Sequence, residues 1–99
     1  MRIEEILLYK DQIYRIAAKY HIMKVYVFGS TARGESKKTS DVDLLIEMEH
    51  GASAFGVGGF QYEVQQLLGI NIDVIPMHVF PNIADREFVH KIQAEAVII

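Results

Sequence analysis

Two closely spaced aspartates are the first residues of this sequence whose types and spacing could do chemistry. Asp41 and Asp43 are separated by one residue, so in a β-strand both side chains would point to the same face. Two carboxylates held close together repel each other unless a cation lies between them. Mg²⁺ prefers oxygen ligands of this kind and often keeps substrate phosphates in its coordination shell. The pair therefore indicates a metal site, although two solvent-exposed acids at the start of a strand would show the same spacing.

A Gly-Ser dipeptide precedes this pair, with ten residues between Ser30 and Asp41. Gly29 would let the backbone approach a ligand, the N–H groups of the following turn could face an anion, and the Ser30 hydroxyl could add a donor. Arg33 could reach the oxygens of a triphosphate and stabilise the departing group. The alternative is an ordinary strand-to-helix turn that is capped by Ser30 and followed by a solvated Arg33.

Asp73 is the third candidate, because it lies within the apolar run of residues 70–75. A carboxylate in such a run is costly unless it is paired or bound to a metal. If its strand lies beside the strand that contains Asp41 and Asp43, the three carboxylates could hold two Mg²⁺ ions for an in-line phosphoryl displacement. An exposed position on an edge strand is the alternative for Asp73.

The elements that would position these residues follow from hydrophobic periodicity and turn signals. Helices and strands alternate along the chain, which predicts an α/β layer fold. The predicted segments are a single helix over 3–20 whose apolar stripe is interrupted by Lys10, a connection at 21–23, a buried strand at 25–28, a short helix from Thr31 with Ser30 as its N-cap, a mobile polar segment at 35–40, a strand at 41–48, a glycine-rich loop at 49–59, a helix over 60–68, a strand at 70–75, a helix opening at 81–82, and an apolar end at 97–99 that forms an edge strand or is covered by a partner.

Composition limits the class of protein. The 99 residues are enough for a single domain over 1–99, and no apolar run reaches the about 20 residues that a membrane span needs. The chain has no cysteine, which excludes a disulfide framework and a thiolate zinc site. Its start is acidic and unlike a secretory signal, so a cytoplasmic protein is expected. A net charge of −3 argues against a broad contact surface for nucleic acid.

Taken together, these residues resemble a known family. Gly29 and Ser30, ten intervening residues and then Asp41-Val42-Asp43 are similar to the signature of the DNA polymerase β-like nucleotidyltransferases. The longer runs at 28–34 and 40–46 resemble the minimal nucleotidyltransferases of bacteria and archaea, which include the MNT-type antitoxins. Residues 68–75 resemble the strand that carries the third carboxylate in that family, and residues 95–99 are similar to its usual ending.

The resemblance implies a small mixed β-sheet flanked by helices. It also implies transfer of a nucleoside monophosphate, AMP from ATP, onto a hydroxyl acceptor with two Mg²⁺ ions. By the resemblance, Asp41 and Asp43 would bind both metals, and Asp73 would bind the catalytic metal and help to activate the acceptor. Gly29 and Ser30 would hold the triphosphate.

The resemblance also implies a partner. Minimal members are typically encoded beside a small helical HEPN-type protein, and many act as antitoxins that adenylylate a tyrosine of that toxin. A non-catalytic module that neutralises its partner by contact alone is the alternative, and transfer to a small molecule or an RNA end is a third possibility. Self-association could also cover the apolar C-terminus. The glycine-rich segment 51–59 matches no feature of the family, so base recognition there stays open.

Overall fold

The computed structural model describes residues 1–37 and 41–99. Residues 38–40, the second half of the polar segment predicted at 35–40, lie outside the described residues. The helices and strands are α1 (Ile3–Leu7), α2 (Lys10–Lys19), β1 (Ile22–Phe28), α3 (Gly29–Ala32), β2 (Val42–Met48), α4 (Phe55–Leu68), β3 (Ile72–Pro76), a 3₁₀ helix (Met77–Asn82), α5 (Arg86–Glu95) and β4 (Val97–Ile98). In the described residues, no helix combines the length and apolar character that crossing a bilayer requires.

The four strands form one mixed sheet in the order β3-β2-β1-β4. β1 is antiparallel to both β2 and β4, whereas β2 and β3 are parallel. A parallel pair needs a crossover connection, and α4 supplies it. This architecture confirms the predicted α/β fold with a small mixed sheet flanked by helices.

The two faces of the sheet are covered unequally. One face packs against α1, α2 and α4 through a large buried core that includes Ile13, Val27, Leu44 and Phe60. The opposite face carries a smaller core, which comprises Phe28, Leu45, Phe80, Val89 and Ile92. Side chains alternate along a strand, so Asp43, two residues before Leu45, belongs to this second face. The predicted carboxylates therefore lie on the less covered side of the sheet.

Three predicted boundaries near the N-terminus differ from the structure. The single helix over 3–20 is wrong, because Tyr9 has non-helical dihedral angles and separates α1 from α2. The break falls one residue before Lys10, where the apolar stripe is interrupted. β1 begins at Ile22 rather than Val25, and His21, with a φ of 58°, forms the tight turn that shortens the predicted connection.

The sequence predicts a loop for the glycine-rich segment, and this prediction is wrong for residues 55–59, which form the start of α4. Gly56 and Gly59 lie against Tyr20, the residue that follows α2. A Cβ atom on Gly59 would lie 2.5 Å from Cε1 of the Tyr20 ring. These glycines permit close helix packing, which compensates for their low helix propensity.

The C-terminal elements differ from the prediction in detail. Pro81 and Asn82 belong to the 3₁₀ helix, and α5 starts only at Arg86 after Asp85, whose carboxylate accepts a 3.0 Å hydrogen bond from the Phe88 N–H. β2 and β3 begin one and two residues later than predicted. The predicted edge strand at the end of the chain is confirmed, because Val97 and Ile98 pair with β1.

Candidate active site

The turn after β1 is built around a glycine that cannot be replaced without strain. Gly29 adopts a φ of +71°, which L-residues with side chains rarely adopt. A Cβ atom at this position would lie 2.2 Å from Oδ2 of Asp43. The absence of a side chain at Gly29 therefore lets the turn lie directly against the Asp43 carboxylate.

Strand pairing brings two of the predicted carboxylates together. Asp43 is the register partner of Asp73 on the parallel strand β3, and of Phe28 at the end of β1. Side chains of register partners lie on the same face of a sheet. Asp41 immediately precedes β2, two residues before Asp43, and is exposed. The three aspartates thus lie at one end of the sheet, beside the Gly29 turn.

The charge of Asp43 is poorly compensated. Burial raises the pKa of Asp43, and the neighbouring charges of Asp73 and Asp41 raise it further. Arg33 acts in the opposite direction, but the pKa stays above its ordinary value. A half-buried carboxylate facing two like charges is the arrangement that a bound cation would stabilise.

The donor set fits a divalent cation only in part. In the stretches 1–37 and 41–99, no group of three or more Asp, Glu, His or Cys side chains already surrounds a point where a metal ion could bind. Asp43 and Asp73 are nevertheless paired in register and repel each other, and their oxygens are the ligand type that Mg²⁺ prefers. Asp41 and Asp73 are exposed, so their side chains can turn toward Asp43.

The predicted phosphate-binding residues lie in the turn, in α3 and directly after α3. Ser30 is not the N-cap that the sequence predicts, because α3 begins at Gly29, and among the described residues no side chain caps this helix. Arg33 follows α3, and its guanidinium is already engaged. Its Nε donates to Glu35 at 3.0 Å, and its Nη1 donates to Glu95 at 2.8 Å.

Glu95 is a residue of this site that the sequence reasoning missed. It ends α5, and its second carboxylate oxygen accepts a 2.9 Å hydrogen bond from the Gly29 N–H. Burial alone would raise the pKa of Glu95, but the bonds from Arg33 and from the Gly29 N–H hold it below its ordinary value. The only sequence signal was the position of Glu95 in the family-like ending, because 66 residues separate it from Gly29.

A cleft elsewhere on the molecule contains none of the predicted site residues. Its volume is about 620 Å³, and its lining includes Met48, His50 and His78 near the ends of β2 and β3. A second cleft of about 440 Å³ adjoins α3 and is lined by Thr31 and Arg33, among others. Cleft size therefore does not identify the chemistry; the carboxylates and the turn do.

Sequence comparison connects these residues to known proteins. The model of the nucleotidyltransferase domain family matches residues 9–99. A protein of Methanocaldococcus jannaschii, provisionally named a protein adenylyltransferase, is 37% identical over 87 residues, which span 87% of this chain and 90% of that protein.

Two solved structures resemble the fold. One, described as a provisionally assigned minimal nucleotidyltransferase, superposes with a TM-score of 0.77 at 28% identity and covers 98% of this chain and 95% of its own. The other is a complex of tri-AMPylated Shewanella oneidensis HEPN toxin with MNT antitoxin. It superposes with a TM-score of 0.64 at 12% identity, covering 93% of this chain and 69% of the matched chain, a likeness that concerns the fold alone.

Proposed function

This chain belongs to the nucleotidyltransferase domain family, and we propose that it transfers AMP from ATP to a tyrosine hydroxyl of a helical HEPN-type toxin, as that toxin's antitoxin. The observation that carries the proposal is the register pairing of Asp43 with Asp73 beside the Gly29 turn. Poorly compensated carboxylates thus lie next to a backbone bend, which supports binding of a polyphosphate through metal ions at this place. The reaction would join the tyrosine oxygen to the α-phosphorus of ATP and release pyrophosphate, and the hydroxyl proton would pass to a base.

We assign the metal-binding role to the three aspartates. Asp41 and Asp43 would hold two Mg²⁺ ions, and Asp73 would share in holding the ion nearest the acceptor. When bound, Mg²⁺ would neutralise charge on the phosphates and make the acceptor oxygen a better nucleophile. Burial and like charge make Asp43 a strained anion without a cation, and this favours such binding.

We assign the triphosphate to the turn and α3. Gly29 lies against the Asp43 carboxylate with no side chain between them, so phosphates bound beside the aspartates would lie next to the turn. Ser30 is not the N-cap of α3, and its hydroxyl would donate to a phosphate oxygen. Arg33 carries five N–H donors, and two of them are used by Glu35 and Glu95. The remaining donors of Arg33 would face the phosphates.

The partner assignment draws on the relatives. The similar M. jannaschii protein is provisionally named a protein adenylyltransferase, and the fold resembles that of the complex of MNT antitoxin with an AMPylated HEPN toxin. We propose that residues 1–99 act as one domain in the cytoplasm, and that a partner, or a second copy of the chain, supplies the acceptor wall of the site.

Label transfer to a HEPN-type protein that binds this chain tests the proposal. With ATP labelled at the α-phosphate and Mg²⁺, we expect label on a tyrosine of that protein; with γ-labelled ATP we expect none, because pyrophosphate leaves. Chelation of Mg²⁺ should abolish transfer. Absence of label under conditions in which the two proteins demonstrably bind would contradict the proposal.

Neutralisation of the toxin by contact alone is the second candidate function. The hydrogen bonds of Arg33 to Glu35 and Glu95 favour it, because these carboxylates occupy donors that a triphosphate could use. The double substitution Asp41→Ala and Asp43→Ala separates the two functions. If the doubly substituted chain still neutralises the toxin, binding is the mechanism. If neutralisation disappears while binding persists, catalysis is.

A further inference from the structure

Glu95 bridges two parts of the candidate site that are distant in sequence. One carboxylate oxygen accepts from the Gly29 N–H at 2.9 Å, and the other accepts from Arg33 Nη1 at 2.8 Å. The Glu95 side chain is only 16% exposed. One residue of α5 thus contacts both the turn and the cation that would face a triphosphate.

The position of Glu95 is unfavourable by local rules. It is the last residue of α5, where the helix dipole disfavours an anion. The last turn of α5, all of which lies in the described part of the chain, has no basic residue, and only the more distant charge of Lys91, one turn earlier, acts in favour of the carboxylate within the helix. Burial of a carboxylate adds a further cost. The tertiary contacts to Gly29 and Arg33 must therefore compensate for what the helix itself disfavours.

The end of α5 is held close to the turn by the sheet. After Ala96 the chain enters β4, where Ile98 pairs with Tyr26 of β1, and the Ile99 N–H donates to the Val25 carbonyl at 3.0 Å. β1 runs from there into Gly29. The Glu95 carboxylate therefore has a defined position relative to the turn.

The same contact orients Arg33. The Arg33 Nε donates to Glu35 and its Nη1 donates to the largely buried Glu95, and two acceptors at different edges define the plane of a guanidinium. Within residues 1–37 and 41–99, these two bonds use two of the five N–H donors of Arg33 and leave three for a ligand. An arginine held in this way loses less side-chain freedom when it binds a phosphate.

We propose that Glu95 is a positioning residue for the nucleotide, holding the Gly29 peptide and the Arg33 guanidinium in the orientation that receives the triphosphate. This inference rests on the proposed function. Glu95 itself does not touch the nucleotide; it acts through Arg33 and through the turn.

Nucleotide binding by position-95 variants tests the inference. The probe is an ATP analogue with a non-hydrolysable α–β bridge plus Mg²⁺, titrated calorimetrically, with KM and kcat of AMP transfer measured in parallel. For Glu95→Ala we expect about tenfold weaker binding, as for a lost charge-assisted hydrogen bond. KM should rise more than kcat falls, because Glu95 makes no contact with the reacting atoms.

Two further variants control for charge and folding. Glu95→Gln keeps an oxygen that can accept from one donor, so its affinity should lie between those of the wild type and Glu95→Ala. Glu87→Ala removes an exposed glutamate from the same helix and should bind as the wild type does. Melting temperatures identify variants that fail to fold, and Glu95→Gln decides the question if Glu95→Ala is one of them.

A double-variant cycle separates positioning from general stability. If Glu95 acts through Arg33, adding Glu95→Ala to Arg33→Ala should weaken binding less than Glu95→Ala does alone. Wild-type affinity in both Glu95 variants would overturn the inference, and so would tighter binding, which would make Glu95 a competitor of the phosphates. If the wild type binds the analogue but labels no toxin, the proposed acceptor fails while the titrations still decide the role of Glu95.

Discussion

Two acidic side chains in different regions of this molecule have pKa values that are shifted in opposite directions. Between α2 and α4, Glu63 accepts hydrogen bonds from Lys19 and Tyr20, and these bonds lower its pKa. At the end of the sheet, burial and the charges of Asp73 and Asp41 raise the pKa of Asp43. The charge of Glu63 is compensated by residues of the chain itself. The end of the sheet, in contrast, has an excess of negative charge that an external cation would offset.

This excess of negative charge at the aspartates exists although Arg33 is close to them. Arg33 lowers the pKa of Asp43 through its charge, but its hydrogen bonds go to Glu35 and Glu95. Had Arg33 paired with Asp43, the sheet end would resemble the Glu63 contact and would have less need of a metal. Diversion of the arginine to other carboxylates is what keeps the aspartates uncompensated.

Neutralising Asp43 should produce the largest effect. We expect Asp43→Asn to reduce AMP transfer by about a hundredfold or more, because a group that stabilises the transition-state charge is lost. The same change should raise the melting temperature by a few degrees, because it removes a repelled, half-buried charge. Calorimetric melting and labelled transfer, measured on one preparation, check both. A variant that is less stable than the wild type would show that Asp43 is compensated after all.

Adding a methyl group to the turn should have the next largest effect. Gly29→Ala forces a side chain into positive φ and against Asp43, so we expect transfer to fall about tenfold to a hundredfold through misplacement of the carboxylate. Gly69→Ala is the matched control, because Gly69 has a φ of +70° with nothing within 4 Å of the added atom. It should destabilise the fold by about 1–2 kcal/mol without affecting transfer. Equal activity in the two variants would argue that the close approach of Gly29 to Asp43 has no role.

The pH dependence of stability should show the contribution of Asp43 separately from that of the other titratable groups. Between its ordinary pKa of 3.8 and its raised folded value, the native state binds more protons than the unfolded state. The wild type should therefore lose stability relative to Asp43→Asn as pH rises through this window, with the full deficit above it. Saturating Mg²⁺ should reduce the deficit at neutral pH. Melting curves of both proteins from acid to neutral pH measure this, and a constant difference would contradict it.

Removing the charge of Glu63 should have the smallest effect on stability and activity. Glu63→Gln removes a charge that lies near the surface, where ion pairs contribute little, so we expect a slight fall in melting temperature. AMP transfer should be unchanged, because Glu63 lies on the face of the sheet opposite the aspartates. Loss of transfer in a folded Glu63→Gln protein would show that the two regions are coupled.

Long-range contacts were the part of the site that the sequence could not predict. The spacing of Asp41 and Asp43 predicts a shared face from strand geometry alone, and the strand before Gly29 follows from its apolar residues. The bond from Gly29 to Glu95 joins residues 66 positions apart, and no local pattern encodes it. Prediction of a loop at 55–59 failed for a related reason, because packing against Tyr20 stabilises a helix that local propensity disfavours.

The amino-acid sequence by itself determined the alternation of helices and strands, the turn at Gly29 and the family of the chain, since these depend on residues that are neighbours along the chain. Only the tertiary structure decided that Asp73 is the register partner of Asp43 and that Arg33 bonds to Glu35 and Glu95. The physical reason is that strand register and ion pairing depend on distances in space, and these are set when the sheet and its helices pack together.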